Sequence, residues 1–190
     1  LRRANLTVYK LPEARSMEDV IEKTRTIGSL TGECVGADET VAWMNAELAE
    51  VDAAVSESDR PDAMYVFFGY TVGTDTFIHD LIERAGADNA AANAGISGYQ
   101  QVNDEVIVNQ NPDWFVLDTN GPTVPRTPAY NGTTAVQENQ TVVVNVNHLN
   151  RPGPRVVHAV TTMADAFHGG ADDAAGTPEN SSGAGPGFGV

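Results

Sequence analysis

The side chains of this sequence that could do covalent or metal chemistry do not fall into a reactive pattern. His148, His158 and His168 recur every ten positions. On a single helix ten steps leave roughly 80° between neighbours, whereas two histidines sharing a metal need the i, i+4 spacing. His79 stands apart from them, and Cys34, the single cysteine, has neither a nearby histidine to activate it nor a disulfide partner. Gly95-Ile96-Ser97-Gly98 lacks the G-x-S-x-G spacing of a nucleophile elbow, and GAGPGFG near the C-terminus lacks the Lys–Ser/Thr of a phosphate loop. The chain is therefore read as a non-enzyme with no metal site and no cofactor. What remains is recognition chemistry. Tyr70, Thr71, Thr74, Tyr99, Asn120, Asn147 and Arg151 supply aromatic, hydroxyl, amide and guanidinium groups from segments that read as loops. Tyrosines offer flat apolar area with a polar tip, and an arginine can meet a carboxylate or a phosphate.

These residues need a scaffold, and the hydrophobic pattern supplies one. Leu6–Leu11 reads as a short strand ending at Pro12. Ser16, with Asp19 three positions on, marks a helix start; Val20, Ile21, Thr24, Ile27 and Leu30 follow at helical spacing, and Gly28 and Gly32 weaken and end that helix. Cys34, between two helical segments, is expected buried or half-buried. From Asp38 to Ser56 the apolar residues Val41, Met44, Leu48, Val51 and Val55 step by three and four, opposed by Glu39, Asn45, Glu50 and Asp52. Such a helix spans roughly 28 Å at 1.5 Å per residue. A strand over Ala63–Phe68 ends at Gly69, and Tyr70–Asp75 reads as a polar loop. Ile78, Leu81, Ile82 and Ala85 form a helix stopped by Gly86. A further helix follows a short polar loop and begins near Glu105. Then come a strand over Trp114–Asp118, a proline-rich loop over Thr119–Thr127 and a strand over Thr141–Val146. The last helix runs from Gly153 or Pro154 to His168. Strand and helix alternate, which predicts an α/β fold with a parallel or mostly parallel sheet. In such sheets ligands bind beyond the carboxyl ends of the strands. Trp114, at a strand start, is assigned to the core.

Composition bears on habitat more than on activity. With 26 acidic against 11 basic residues the net charge is −15, which disfavours nucleic acid and anionic membranes as partners. Lys10 and Lys23 are the only lysines. Acidic excess with little lysine suits molar salt, where a Debye length of about 3 Å screens carboxylate repulsion. N-x-[ST] sequons at Asn5, Asn131, Asn139 and Asn180 point to an exterior, glycosylated protein. From Gly169 onward the sequence is Gly, Ala, Asp, Ser and Pro with little apolar bulk, and residues 169–190 are expected to form a disordered linker.

Two motifs carry a family resemblance. Gly73, Thr74, Thr76, Phe77, Ile78, Leu81, Ile82, Ala85, Gly86 and Asn89 reproduce a "G-T-x-T-F-I…L-I…A-G-A-x-N" stretch. Asn103, Glu105, Pro112 and Asp113 reproduce an "S-x-E…P-D" element, with asparagine in the usual serine place. Together, over most of residues 5–168, they resemble the substrate-binding proteins that deliver vitamin B12, ferric siderophores or haem to ABC importers. The resemblance implies a two-lobed solute-binding fold with a long interdomain helix. Residues 1–15 would be the end of the N-terminal lobe, 16–60 helices including the interdomain helix, and 61–168 the complete C-terminal lobe, so the chain reads as a C-terminal fragment. It further implies that loops at the strand ends touch a bulky chelate ligand, with cobalamin expected first, a ferric siderophore second and haem third. An aromatic near Tyr99 often touches ligand in this family. Glu105 would dock onto arginines of a permease working with its ATPase, and a monomer is expected. Pro186, Gly187 and Phe188 resemble the P-G-F anchoring signal of haloarchaeal surface proteins, which would tether the chain to the outer face of the cell membrane through its C-terminus. The competing reading, a cell-surface structural or adhesion glycoprotein, predicts tandem β-domains and not this α/β alternation.

Overall fold

A computed structural model of the chain describes residues 8–56 and 58–169. Val8–Arg15 has no regular structure, so of the strand expected over Leu6–Leu11 the described part, from Val8, is not a strand. Pro12 close behind removes a backbone donor and discourages pairing. Helix α1 (Met17–Thr31) starts where the sequence says it should. The Ser16 hydroxyl accepts the Asp19 amide, and the Asp19 carboxylate accepts the Ser16 amide in return. Gly32, at φ 81°, ends it in the left-handed conformation that glycine adopts without penalty. Helix α2 (Cys34–Val55) begins almost immediately and is longer than its apolar stripe suggested. Cys34 is its first residue and is exposed, against the expectation of burial, because it falls at the turn between the two helices.

The rest of the chain builds one sheet and its covering. Strand β1 (Asp62–Tyr65) leads through a tight turn into β2 (Tyr70–Val72), then α3 (Phe77–Arg84), β3 (Asp88–Asn89) and α4 (Ala90–Asn93). Strand β4 (Tyr99–Gln101) precedes α5 (Asp104–Gln110) and β5 (Trp114–Asp118). Two short turns, α6 (Pro128–Asn131) and α7 (Thr134–Gln137), lead to β6 (Thr141–Val144), α8 (Val146–Leu149) and, after a 3-10 turn, α9 (Val157–His168). Segment 70–75 is thus partly a strand and not a loop throughout. Strands β2 and β4 form a separate antiparallel ribbon, with Thr71 opposite Gln100.

The main sheet has the order β3-β1-β5-β6, all parallel, with Tyr65 beside Val116 and Asp118 beside Val144. Because strand side chains alternate, one face presents Ala63, Tyr65, Trp114 and Val116, the other Met64, Val66, Phe115 and Leu117. The first face is covered by α1, α2, α3 and α9 through Met17, Met44, Leu48, Leu81 and Val160, all essentially inaccessible to water. Trp114 meets Phe167 of α9 edge-on at 5.6 Å, as a core residue should. The second face is covered by α4–α7, with Ile107 and Tyr130 fully or nearly buried. Side chains of this size stabilise by roughly 1.5–3 kcal/mol each when withdrawn from water. Two apolar faces explain why the strands read as short continuous apolar runs. Among the described residues no helix is long and apolar enough to cross a membrane.

Candidate functional site at the carboxyl ends of the strands

The connection after β1 leaves over the α3 face, and the connection after β5 leaves over the opposite face. These two strands are neighbours, so a crevice opens between their carboxyl ends, the position at which open α/β sheets take their ligands. Its floor is a buried polar network. The Asp118 carboxylate, fully enclosed, accepts the Tyr65 hydroxyl at 2.7 Å and the Asn150 amide at 3.3 Å. Its other oxygen accepts the backbone amides of Asn120 at 2.8 Å and Gly121 at 3.2 Å. Burial, then the bond to Asp118, drives the Tyr65 phenol far above its ordinary value, so it stays a donor. One carboxylate therefore joins the ends of β1 and β5 to the segment after α8.

Above this floor stands an aromatic residue that the sequence reading missed. Phe67 and Tyr70 exchange both backbone hydrogen bonds, at 2.9 and 2.8 Å, closing a two-residue turn on Phe68 and Gly69. Both central residues have positive φ, 45° and 79°. Such turns normally carry Asn-Gly; a phenylalanine there is held against its steric preference, at a cost of about 1–2 kcal/mol. The ring is 72% exposed, packs edge-on against Phe67 at 4.7 Å and leans toward Gly121 across the crevice. A bulky apolar residue both strained and exposed at a strand end marks a site. The available signal was Phe68-Gly69 directly after an apolar strand, where a turn requires left-handed backbone.

The predicted contact residues divide. Tyr70 and Tyr99 share one face of the ribbon as a diagonal pair, Tyr70 opposite Gln101 and Tyr99 opposite Val72, and are 44% and 63% exposed. Thr71 does not join them. It is fully buried, and its hydroxyl is committed to the Tyr65 carbonyl at 2.8 Å, so it braces the turn under Phe68 and cannot meet a ligand. Thr74 is exposed, its amide tied to the Ile96 carbonyl. Asn120 is exposed in the turn after β5, and Asn147 and Arg151 are exposed after β6. The strand that precedes this last pair, β6, lies two strand spacings, roughly 10 Å, from β1 in the sheet.

Most of the motif residues hold the frame. A Cβ on Gly73 would lie 1.8 Å from the Ile96 carbonyl oxygen, so no side chain fits. Thr76 caps α3 by accepting the His79 amide, and Asn89 caps α4 while donating to the Val72 carbonyl. Asn103 caps α5, the task a serine would perform, and Asp113 accepts the Asp62 amide at 3.0 Å. Glu105 is exposed in the first turn of α5, where the helix dipole favours a carboxylate. Asn131 and Asn139 are exposed; Asn5, Asn180, Pro186, Gly187 and Phe188 lie outside the described residues.

His148 and His158 do not share the single helix on which their ten-residue spacing is read. His148 lies on α8 and His158 on α9; the break between these helices resets the geometry, and their rings stand 5.2 Å apart.

The sequence profile of the periplasmic binding protein family matches residues 1–145. The chain belongs to that family. A cobalamin-binding protein of Halobacterium salinarum is 41% identical over 180 residues, covering 88% of this chain and 49% of its own length. An uncharacterised ABC transporter substrate-binding lipoprotein of Bacillus subtilis is 28% identical, covering 88% of this chain and 56% of its own. This periplasmic binding protein chain thus spans about half the length of the curated relatives it matches. Among solved structures, the haem-binding protein BhuT in complex with two haems aligns with a TM-score of 0.77 at 21% identity, over 87% of this chain and 69% of that one. The haem-binding protein RhuT of Roseiflexus aligns at 0.74 and 24%, over 81% and 64%. At those identities the likeness establishes the fold, the expected α/β solute-binding architecture.

Proposed function

We propose that the whole protein is the extracytoplasmic substrate-binding protein of an ABC importer and that it captures cobalamin. A ferric siderophore is the second choice and haem the third. The observation that carries this reading is the set of exposed aromatics, Phe68, Tyr70 and Tyr99, on the turn and ribbon that follow β1 at the crevice between β1 and β5. Flat apolar rings, with Asn147 and Arg151 following a strand two positions from β1 in the sheet, suit a planar chelate with polar edges and poorly suit a small bare ion. The name of the Halobacterium relative supports cobalamin over the alternatives. Glu105 docks the loaded protein onto arginines of the permease, a charge-assisted contact that survives high salt because it is direct. Tethering to the outer membrane face through Pro186-Gly187-Phe188, glycans on the sequons and a monomeric state complete the proposal.

The test is co-migration. Full-length protein is passed over gel filtration in molar KCl with cobalamin and, separately, with a ferric hydroxamate. Coloured cobalamin eluting with the protein is the expected result. Only the hydroxamate travelling would reassign the ligand, and neither travelling with folded protein would overturn the reading. Glu105→Ala should lower transport with ligand affinity unchanged; a loss of affinity would place Glu105 in the cleft instead.

A further inference from the structure

Between α8 and the start of α9 two imidazoles meet. His148 on α8 and His158 in the first turn of α9 are both half-buried, with ring centres 5.2 Å apart and planes at 45°. The His158 ring also stands 5.5 Å from the indole of Trp43 on α2. The hydrogen bonds these histidines make use backbone atoms: the His148 amide donates to the Asn145 carbonyl, and the His158 carbonyl accepts from Thr161 and Thr162. Among the described residues, no hydrogen bond occupies their ring nitrogens. Two imidazoles holding one ion at a tetrahedral angle, each nitrogen about 2.0–2.1 Å from it, have ring centres roughly 5 Å apart. The pair already has that separation.

We propose that His148 and His158 form a two-histidine site for a borderline divalent transition-metal ion, copper(II), nickel(II) or zinc, with water in the remaining positions. Imidazole suits these ions, and the absence of a carboxylate from the pair disfavours magnesium and calcium. Arg155, close enough for its charge to act on His148, makes the affinity moderate. An ion there would clip α8 to α9. Because Asn150 at the end of α8 donates to Asp118, the clip would also fix the wall of the crevice that carries Asn147 and Arg151. The site itself is independent of what the crevice binds.

Trp43 supplies the readout, since copper(II) and nickel(II) quench indole fluorescence at close range and the chain's only other tryptophan is Trp114. The untagged chain is titrated with copper(II), nickel(II) and magnesium in a non-coordinating buffer, and zinc binding is followed by calorimetry. Saturable quenching at one equivalent is expected, tighter for copper than nickel and absent for magnesium. Trp43→Phe should remove most of the quenching and leave the calorimetric zinc site intact. His148→Ala and His158→Ala should each weaken binding by at least about tenfold, while His79→Ala and His168→Ala should not. His148→Asn, which preserves a polar side chain, guards against a folding defect, with circular dichroism as the check. Unsaturable quenching, or saturable binding that survives loss of either paired histidine, overturns the proposal.

Discussion

Replacing Phe68 should separate what stabilises the fold from what binds ligand. In the Phe68→Asn variant the left-handed backbone becomes acceptable, recovering about 1–2 kcal/mol of strain. The edge contact to Phe67 is lost, at about 0.5–1.5 kcal/mol. Phe68 is 72% exposed, so little more than a quarter of its burial is forfeited, roughly 0.4–0.8 kcal/mol out of the 1.5–3 a phenylalanine gains when fully enclosed. These terms nearly cancel, and unfolding stability should stay within about 1 kcal/mol of the parent. Phe68→Ala loses the ring and keeps the strain, so it should be less stable than Phe68→Asn by about 1 kcal/mol. Ligand affinity should move differently. If a chelate covers the exposed part of the side chain, losing it costs roughly 1–2 kcal/mol, about five- to fortyfold in Kd, in both variants. Denaturant unfolding in molar KCl gives the stabilities, and cobalamin titration of the full-length protein gives the affinities. An Asn variant no more stable than the Ala variant would refute the strain argument. Affinity unchanged in both would remove Phe68 from the site.

Three other perturbations test the frame. Tyr65→Phe leaves the enclosed Asp118 carboxylate short of its 2.7 Å donor and should lower unfolding stability by about 1.5–3 kcal/mol with unchanged denaturant slope; a loss under about 0.5 would contradict the network. The Asp80 carboxylate accepts the Met17 amide at the start of α1 but is pushed above its ordinary value chiefly by burial. Asp80→Asn should therefore be neutral or stabilising at pH 7, whereas Asp80→Ala should cost about 1 kcal/mol, both read by thermal unfolding. Asp62 is raised above 3.8 by burial first, then by Asp113 and Asp88. A carboxyl raised in the folded state favours its protonated form, so its contribution is full below the unfolded value and is lost as pH rises through the folded one. Asp62→Asn should accordingly stabilise at pH 7, lose that advantage below about pH 3.8, and show less of it as KCl is raised; a gain independent of pH would be evidence against the carboxylate cluster.

The main scaffold was legible because local and tertiary signals agree. Ser16 and Asp19 mark the start of α1, the three-four stripe from Val41 to Val55 marks α2, and the apolar runs at Ala63 and Trp114 mark paired strands. The β2–β4 ribbon was hidden because Tyr70–Val72 is too short to show alternation and its partner lies 27 residues away, at Tyr99–Gln101. Thr71 was misjudged for a related reason. Its type suits a loop contact, and only the path of the chain folds it under the turn. The motif residues were legible as a pattern but not as roles: Thr76, Asn89 and Asn103 turn out to be helix caps. The histidine pair was invisible because helical arithmetic fails across the break at residues 150–156.

Asp118 has a consequence for how a family such as this changes its cargo. It fixes the ends of β1 and β5 and the segment after α8 from below, through atoms that no ligand reaches. The side chains presented to solvent above it, Phe68, Tyr70, Tyr99, Asn147 and Arg151, take no part in that anchoring. On the proposed reading, drift among them would alter ligand preference without loosening the mount on which they stand. Selection for a new nutrient and selection for a folded protein act on separate sets of residues, and one architecture can be re-tipped many times.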